Sequence, residues 1–335
     1  MTAGRRALSA RDREKPFILL GAVAIGLLLN RLLGGGVEAL LTVVELGVFL
    51  VIFAVMLPVE ITDVGRALRK LKPTLLALAI NFVFIPAFAW ALGWAVLRES
   101  PDIWAGVILY TLTPCIGWYL IFTDLPEGDV PWGMALLPWN ITLQVVLMPL
   151  YLYLLVGRIV PVDVTVLGRS VMLFLVLPFA LGLAVQRLII GWQGREYFFG
   201  PVKRAMGELK LWALVVVIVA MFASQRALDF GDLGRVALII AALVAFFAVL
   251  FPVALLVGRV GRLTYAENVT LAFTTTARNS EAVIGVAVSA FPGHPLVYLA
   301  IILGPIVELP IPLLLARVLV TLRGRLDVRR SEVRA

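Results

Sequence analysis

The sequence predicts an all-α integral membrane protein: ten transmembrane helices in two inverted five-helix repeats. Composition, the spacing of apolar runs and the placement of basic residues predict it. Of 335 residues, 61% are hydrophobic and 15% charged, and mean hydropathy is +1.02. A soluble domain carries about 25% charged and about 45–50% apolar residues, so the lipid bilayer is the expected surroundings. The net charge of +8 could serve nucleic acid, but the charges cluster in loops between apolar runs, which argues against such a partner. The single cysteine, Cys115, forbids an internal disulfide. No GxxxxGK loop occurs, and the longest polar gap, 191–208, is too short for a catalytic domain. Neither an ATPase nor another enzyme is expected, and no cofactor.

The apolar runs are 16–34, 39–58, 74–97, 103–123, 132–156, 170–190, 209–227, 235–257, 266–291 and 296–319. Each is near the ~20 residues that a spanning helix needs. The first follows a basic start that imitates a signal peptide. Asn30 and Arg31 follow it rather than a small-residue cleavage site, so it reads as a retained span. With the N-terminus inside, 22 of the 29 Lys and Arg residues fall on the inner side, 6 on the outer, and Arg278 within the ninth run. That bias predicts a multi-pass protein of the cell membrane with both termini cytoplasmic.

The halves look related. "GLLLNRLL" (26–33) and "GLAVQRLI" (182–189) both read Gly-Leu-x-x-amide-Arg-Leu-aliphatic, and "DVGRAL" (63–68) matches "DLGRVAL" (232–238). Each half has five spans, an odd number, so the second enters from the opposite side.

Span four, "IWAGVILYTLTPCIGWYLIFTDL" (103–125), contains Pro114 near mid-membrane. Proline lacks an N–H and clashes one turn back, so the helix breaks there. Span nine carries Thr274, Thr275, Thr276, Arg278, Asn279 and Glu281 at the same depth. Burying each charge in hydrocarbon costs roughly 2.5–3.5 kcal/mol on insertion scales. Arg278 and Glu281 are three apart and share a face if the segment is helical, where they would partly neutralise each other. They read as a transport site, or as a structural ion pair between helices. Paired interruptions in corresponding spans point to a binding site. Cys115 is either a substrate ligand or a small buried hydrophobe. Asn81, Asn140 and Gln144 line a cavity or bond between helices. Glu308, among Pro305, Pro310 and Pro312, belongs to the site or to a structural pair, and His294 reads as an exposed loop residue.

"LTPCIGWYLIFTDLPEGDVPWGMALLPWNITLQ" and "LAFTTTARNSEAVIGVAVSAFPGHPLVYLAIILGPIVELPI" resemble the arsenite efflux permeases of the bile acid/arsenite/riboflavin transporter superfamily, and "MLPVEITDVGRALRKLKP" resembles their loop after span two. The resemblance implies the bile acid–sodium symporter fold. Its panel domain would be residues 16–60 and 169–230, its core domain 73–157 and 233–321, with spans four and nine unwound and crossing. It implies a secondary transporter exporting arsenite or antimonite in exchange for protons, with Cys115 as arsenic ligand and Glu281 as proton carrier. Arg278, Asn279, Asn140 and Asn81 join them as substrate-binding residues, then Gln144 and Glu308. The chain departs from the pattern in having Pro114 where those permeases have an arginine, and Arg278 where they have a small or amide residue. A guanidinium there stands in for a bound cation and argues against sodium coupling. The competing expectations are an organic-anion carrier with Arg278 pairing the substrate, and a non-transporting scaffold or sensor.

Overall fold

The computed structural model describes residues 10–33, 38–58, 69–115, 118–160, 164–224, 233–291, 293–308, 310–312 and 314–320. The "DVGRAL" stretch, the first residue of "DLGRVAL", and the basic residues Arg5, Arg6, Arg323, Arg325, Arg329, Arg330 and Arg334 lie outside them. All regular structure among the described residues is helical. The helices are α1 (Ala10–Leu33), α2 (Glu38–Met56), α3 (Leu71–Val96), α4 (Pro101–Thr111), α5 (Trp118–Asp124) and α6 (Val130–Val156). Then come α7 (164–197), α8 (Lys203–Ser224), α9 (Leu233–Val260), α10 (Tyr265–Thr276), α11 (Ser280–Ala290) and α12 (Pro295–Glu308), with further helical residues after it.

Helices α3, α6 and α9 are long and apolar enough to cross a membrane; at 26 residues even α3 spans about 39 Å, beyond the ~30 Å hydrocarbon core. Large apolar side chains face outward, Leu46, Val83, Leu256 and Leu314 among them, while Asn81, Asn140, Gln144, Arg278 and Glu308 are buried. Water would not tolerate that inversion; lipid does. The polar gap expected at 191–208 is helical instead. Helix α7 runs to Tyr197 and passes through a π turn (Phe198–Val202) into α8, and the chain bends where Gly194 adopts φ 84°.

Helices α1 and α2 pack on α8, and α7 packs on α2. Two amides tie this group together. Asn30 of α1 donates to the Phe222 and Ala223 carbonyls at the end of α8, both at 3.1 Å. Gln186 of α7 donates to the Leu57 carbonyl just past α2, at 2.9 Å. Gly26 lets α1 approach α8 so closely that a Cβ there would meet Phe222 Cβ at 2.7 Å, the small-residue contact typical of membrane helices.

The other helices surround α4, α5, α10 and α11. Phe273 of α10 sits between Phe122 of α5 and Phe251 of α9, with centroids 6.3 and 5.5 Å away. Gly304 admits the Tyr110 ring against α12. The half-helix α11 contacts α2 and α7, where Ser170 and Ser289 share a 2.8 Å hydrogen bond.

Candidate functional site: the paired helix breaks

Helix α4 stops at Thr111, three residues before Pro114, and α10 stops at Thr276 with Ala277 extended at φ −72°, ψ 139°. The two breaks meet. Pro114 and Arg278 form an isolated antiparallel bridge, in which the Cys115 N–H donates to the Ala277 carbonyl at 3.0 Å and the Asn279 N–H to the Thr113 carbonyl at 2.8 Å.

A break orphans backbone groups, and each buried one needs a partner. In a continuous helix the carbonyls of Thr111, Thr274, Thr275 and Thr276 would accept from residues four further on. Here side chains replace those donors. The Arg278 guanidinium donates to Thr111 O at 2.9 Å, to Thr276 O at 3.4 Å and to Thr275 O, and Asn81 Nδ2 donates to Thr274 O at 3.5 Å. The guanidinium thus caps two helix C-termini at once, where the helix dipoles favour positive charge. Its remaining bond is to Asn81 Oδ1, at 2.9 Å. Four of its five N–H groups are committed to the protein.

The Arg278 backbone N–H donates to Glu308 Oε1 at 2.8 Å, and the Tyr110 hydroxyl to Glu308 Oε2 at 2.6 Å. This corrects the expectation that Arg278 and Glu281 share a helical face. Arg278 lies in the non-helical link, because its guanidinium occupies the carbonyls that a continuing helix would have used, and the carboxylate brought to it is that of Glu308. Glu281 stands in the first turn of α11; its side chain lies outside the described residues.

Asn81 sits in a π turn of α3 (Ile80–Phe84), a local widening frequent at functional sites. Its Nδ2 also donates to Asn140 Oδ1 at 3.3 Å, and Asn140 Nδ2 donates to Thr274 Oγ1 at 3.4 Å. Gln144, one turn along α6, is buried with neither amide atom hydrogen-bonded to the protein. The hydroxyls of Thr111, Thr113, Thr275 and Thr276 bond back to carbonyls three or four residues earlier, so they serve their own helices. Cys115 is buried and reduced beside the bridge.

The structure therefore brings together Pro114, Cys115, Arg278, Asn279, Asn81, Asn140 and Glu308. Sequence reasoning missed Tyr110 and the Thr111 carbonyl. Tyr110 lies four residues before Pro114, where a proline always leaves a carbonyl unpaired, and that position was the available signal; the carbonyl is taken by the Thr113 hydroxyl at 2.9 Å.

Charges close both ends. Lys70, ahead of α3, bonds Asp129 at 2.7 Å and Glu267 at 2.6 Å. Burial works against the Lys70 ammonium, yet the hydrogen bonds and charges of both carboxylates outweigh it and hold the group above its ordinary value. At the other end His294 Nδ1 lies 3.0 Å from Asp102 Oδ1, so His294 is half-exposed and paired rather than simply exposed.

Buried broken helices met break to break in an apolar, membrane-class chain define a membrane transporter, not an enzyme. The chain belongs to the Sodium Bile acid symporter family, which it matches over residues 45–228, more than half its length. It is 25% identical over 281 residues to the uncharacterized protein YbaS of Bacillus subtilis, covering 83% of this chain and 88% of that one. It is 22% identical over 292 residues to the uncharacterized transporter slr0944 of Synechocystis, covering 81% and 76%. It is also 25% identical to the arsenical-resistance protein Acr3 of Corynebacterium glutamicum, over 142 residues, 42% of this chain and 38% of that one.

Proposed function

We propose that this chain exports trivalent arsenic, as arsenite or antimonite, across the cell membrane in exchange for protons. The observation that carries the reading is Cys115: a buried thiol whose backbone is pinned to the opposing break, Cys115 N to Ala277 O at 3.0 Å. Trivalent arsenic is thiophilic, and soft ligands suit it. Attack by the thiol on arsenous acid forms one As–S bond and breaks one As–O bond, and the thiol proton leaves with the hydroxyl as water. A single such bond reverses readily, as a carrier requires. The likeness to a protein named for arsenical resistance supports an arsenic substrate. Glu281, beside the link at the start of α11, carries the proton.

The reading includes the architecture: ten spans in two inverted repeats, with α4–α5 and α10–α11 as corresponding broken spans. The reciprocal amides support the repeat. Asn30 in the first span of one half caps the second span of the other, and Gln186 does the converse. Spans one, two, six and seven form a panel, the rest a core that moves against it. Both termini are cytoplasmic. Lys70, Asp129 and Glu267, all assigned to the inner side by the basic-residue bias, meet in one cluster, and Asp102 and His294, both assigned outside, meet in another.

An organic-anion carrier would need Arg278 to pair its substrate. Three of the guanidinium's bonds run to backbone carbonyls and one to Asn81, which disfavours that reading. The same bonds place a fixed cation at the helix ends, which supports sodium independence. The test is arsenite efflux from proteoliposomes. Cys115→Ser and Cys115→Ala are expected to abolish it at matched protein levels, and Glu281→Gln to abolish its dependence on a pH gradient. Wild-type efflux by both cysteine variants would end the arsenic reading.

A further inference from the structure

We propose that Gln144 recognises a neutral, hydroxyl-bearing solute at the level of the helix breaks. The position follows from the register of α6 against α10. Asp129, just before α6, donates its N–H to Thr270 Oγ1 at 2.7 Å and to Ala266 O at 3.1 Å, and further along Asn140 reaches Thr274. The two helices therefore run parallel, and Gln144 stands about 6 Å beyond Asn140 on the same face. Four residues beyond Thr274 is Arg278. Gln144 is thus level with the link and with the first turn of α11.

Its amide differs from those of Asn81 and Asn140. Asn81 and Asn140 spend their donors and acceptors on each other, on Thr274 and on Arg278. Gln144 is 2% exposed, and both its Oε1 and its Nε2 lack a protein partner. An unmet amide in a low-dielectric interior is costly, and leucine would fill the same volume without that cost. The group fits a ligand that must both donate to the oxygen and accept from the nitrogen. A bare cation offers no acceptor, and the neighbouring Arg278 opposes it. An anion offers no donor, and Arg278 is already committed to carbonyls and faces the Glu308 carboxylate. A hydroxylated neutral solute offers both, and arsenous acid, uncharged near neutral pH, is one.

The inference rests on the breaks being the transport site. The experiment compares wild type and Gln144→Leu in proteoliposomes, with arsenous acid, boric acid and glycerol as neutral hydroxylic probes, benzoate and taurocholate as anions, and sodium present or absent. The expected result is a KM for the transported neutral probe raised about tenfold in the variant, with an unliganded melting temperature equal to or above wild type. Unchanged KM overturns the inference, and so does a lower melting temperature, which would mean a structural hydrogen bond. Transport of anions alone, or loss of a sodium stimulation in the variant, overturns it as well. Gln144-dependent flux of boric acid or glycerol without flux of arsenous acid would support this inference while ending the arsenic reading.

Discussion

The break after α4 contains Pro114, and any reader of the sequence would place an interruption there. The break after α10 reads Ala277-Arg278-Asn279, with neither proline nor glycine. The first is broken from within, because the proline has no N–H to give. The second is broken from across the junction: Asn279 gives its N–H to Thr113, and Arg278 gives its own to Glu308. Its side chain then fills the carbonyls left behind. One break is local chemistry and the other tertiary chemistry, so the two should respond differently to substitution.

The largest effect is expected at Arg278. Arg278→Met orphans the carbonyls of Thr111, Thr275 and Thr276 together and leaves Glu308 without its counter-charge, a cost of about 3–5 kcal/mol. A melt in detergent should find the variant severely destabilised. Arg278→Lys should recover only part, since an ammonium cannot span the fork that three carbonyls and Asn81 define. Arg278→Ser sharpens the comparison further. It leaves a cage of acceptor oxygens, and added sodium or potassium should raise its melting temperature while leaving wild type unmoved.

Pro114→Ala comes next. Alanine restores a donor, but the bridge bonds at Thr113 and Cys115 still hold the crossing. The expected cost is about 1 kcal/mol, read in the same melt. A loss larger than that of Arg278→Met would break the comparison. Asn30→Leu and Gln186→Leu should cost similar amounts, about 1–2 kcal/mol each, because each strips a donor from a helix end. Very unequal values would argue against the two halves being equivalent.

Lys70→Met is expected to be the mildest, about 1 kcal/mol or less, because the ammonium is partly exposed. The sign of its pH dependence is set. The Lys70 group is raised in the folded chain, so its contribution is fully present below the ordinary lysine value and fades as pH climbs through the raised one. Wild type and variant melts should converge in strong alkali.

These contrasts also mark what could be read from the sequence. The membrane class was legible because composition and run length follow directly from the solvent. Pro114 and Cys115 were legible because proline acts on its own chain. Arg278 stood out as a buried charge, but the tie of its backbone N–H to Glu308, thirty residues away, did not. Nothing local encodes that choice, which is made by α12 packing on α4 where Gly304 admits Tyr110. Asn81 was read as cavity lining or an interhelical bond, and its part in capping the break was not legible, since its π turn is a departure from the regular period that sequence patterns assume. The helical continuation through 191–208 was missed because polarity there reads as loop.

The amides of Asn30 and Gln186 carry a consequence for biosynthesis. The Leu57 carbonyl receives its donor from a residue 129 positions later, and the end of α8 receives its own from one made 192 positions earlier. At roughly 5–20 residues per second, about 6–26 s of translation separate Leu57 from Gln186. For that interval the end of α2 is uncapped, dependent on the insertion machinery or on lipid headgroups. A ribosome stalled midway would leave half a transporter with no means of completing its own helix ends.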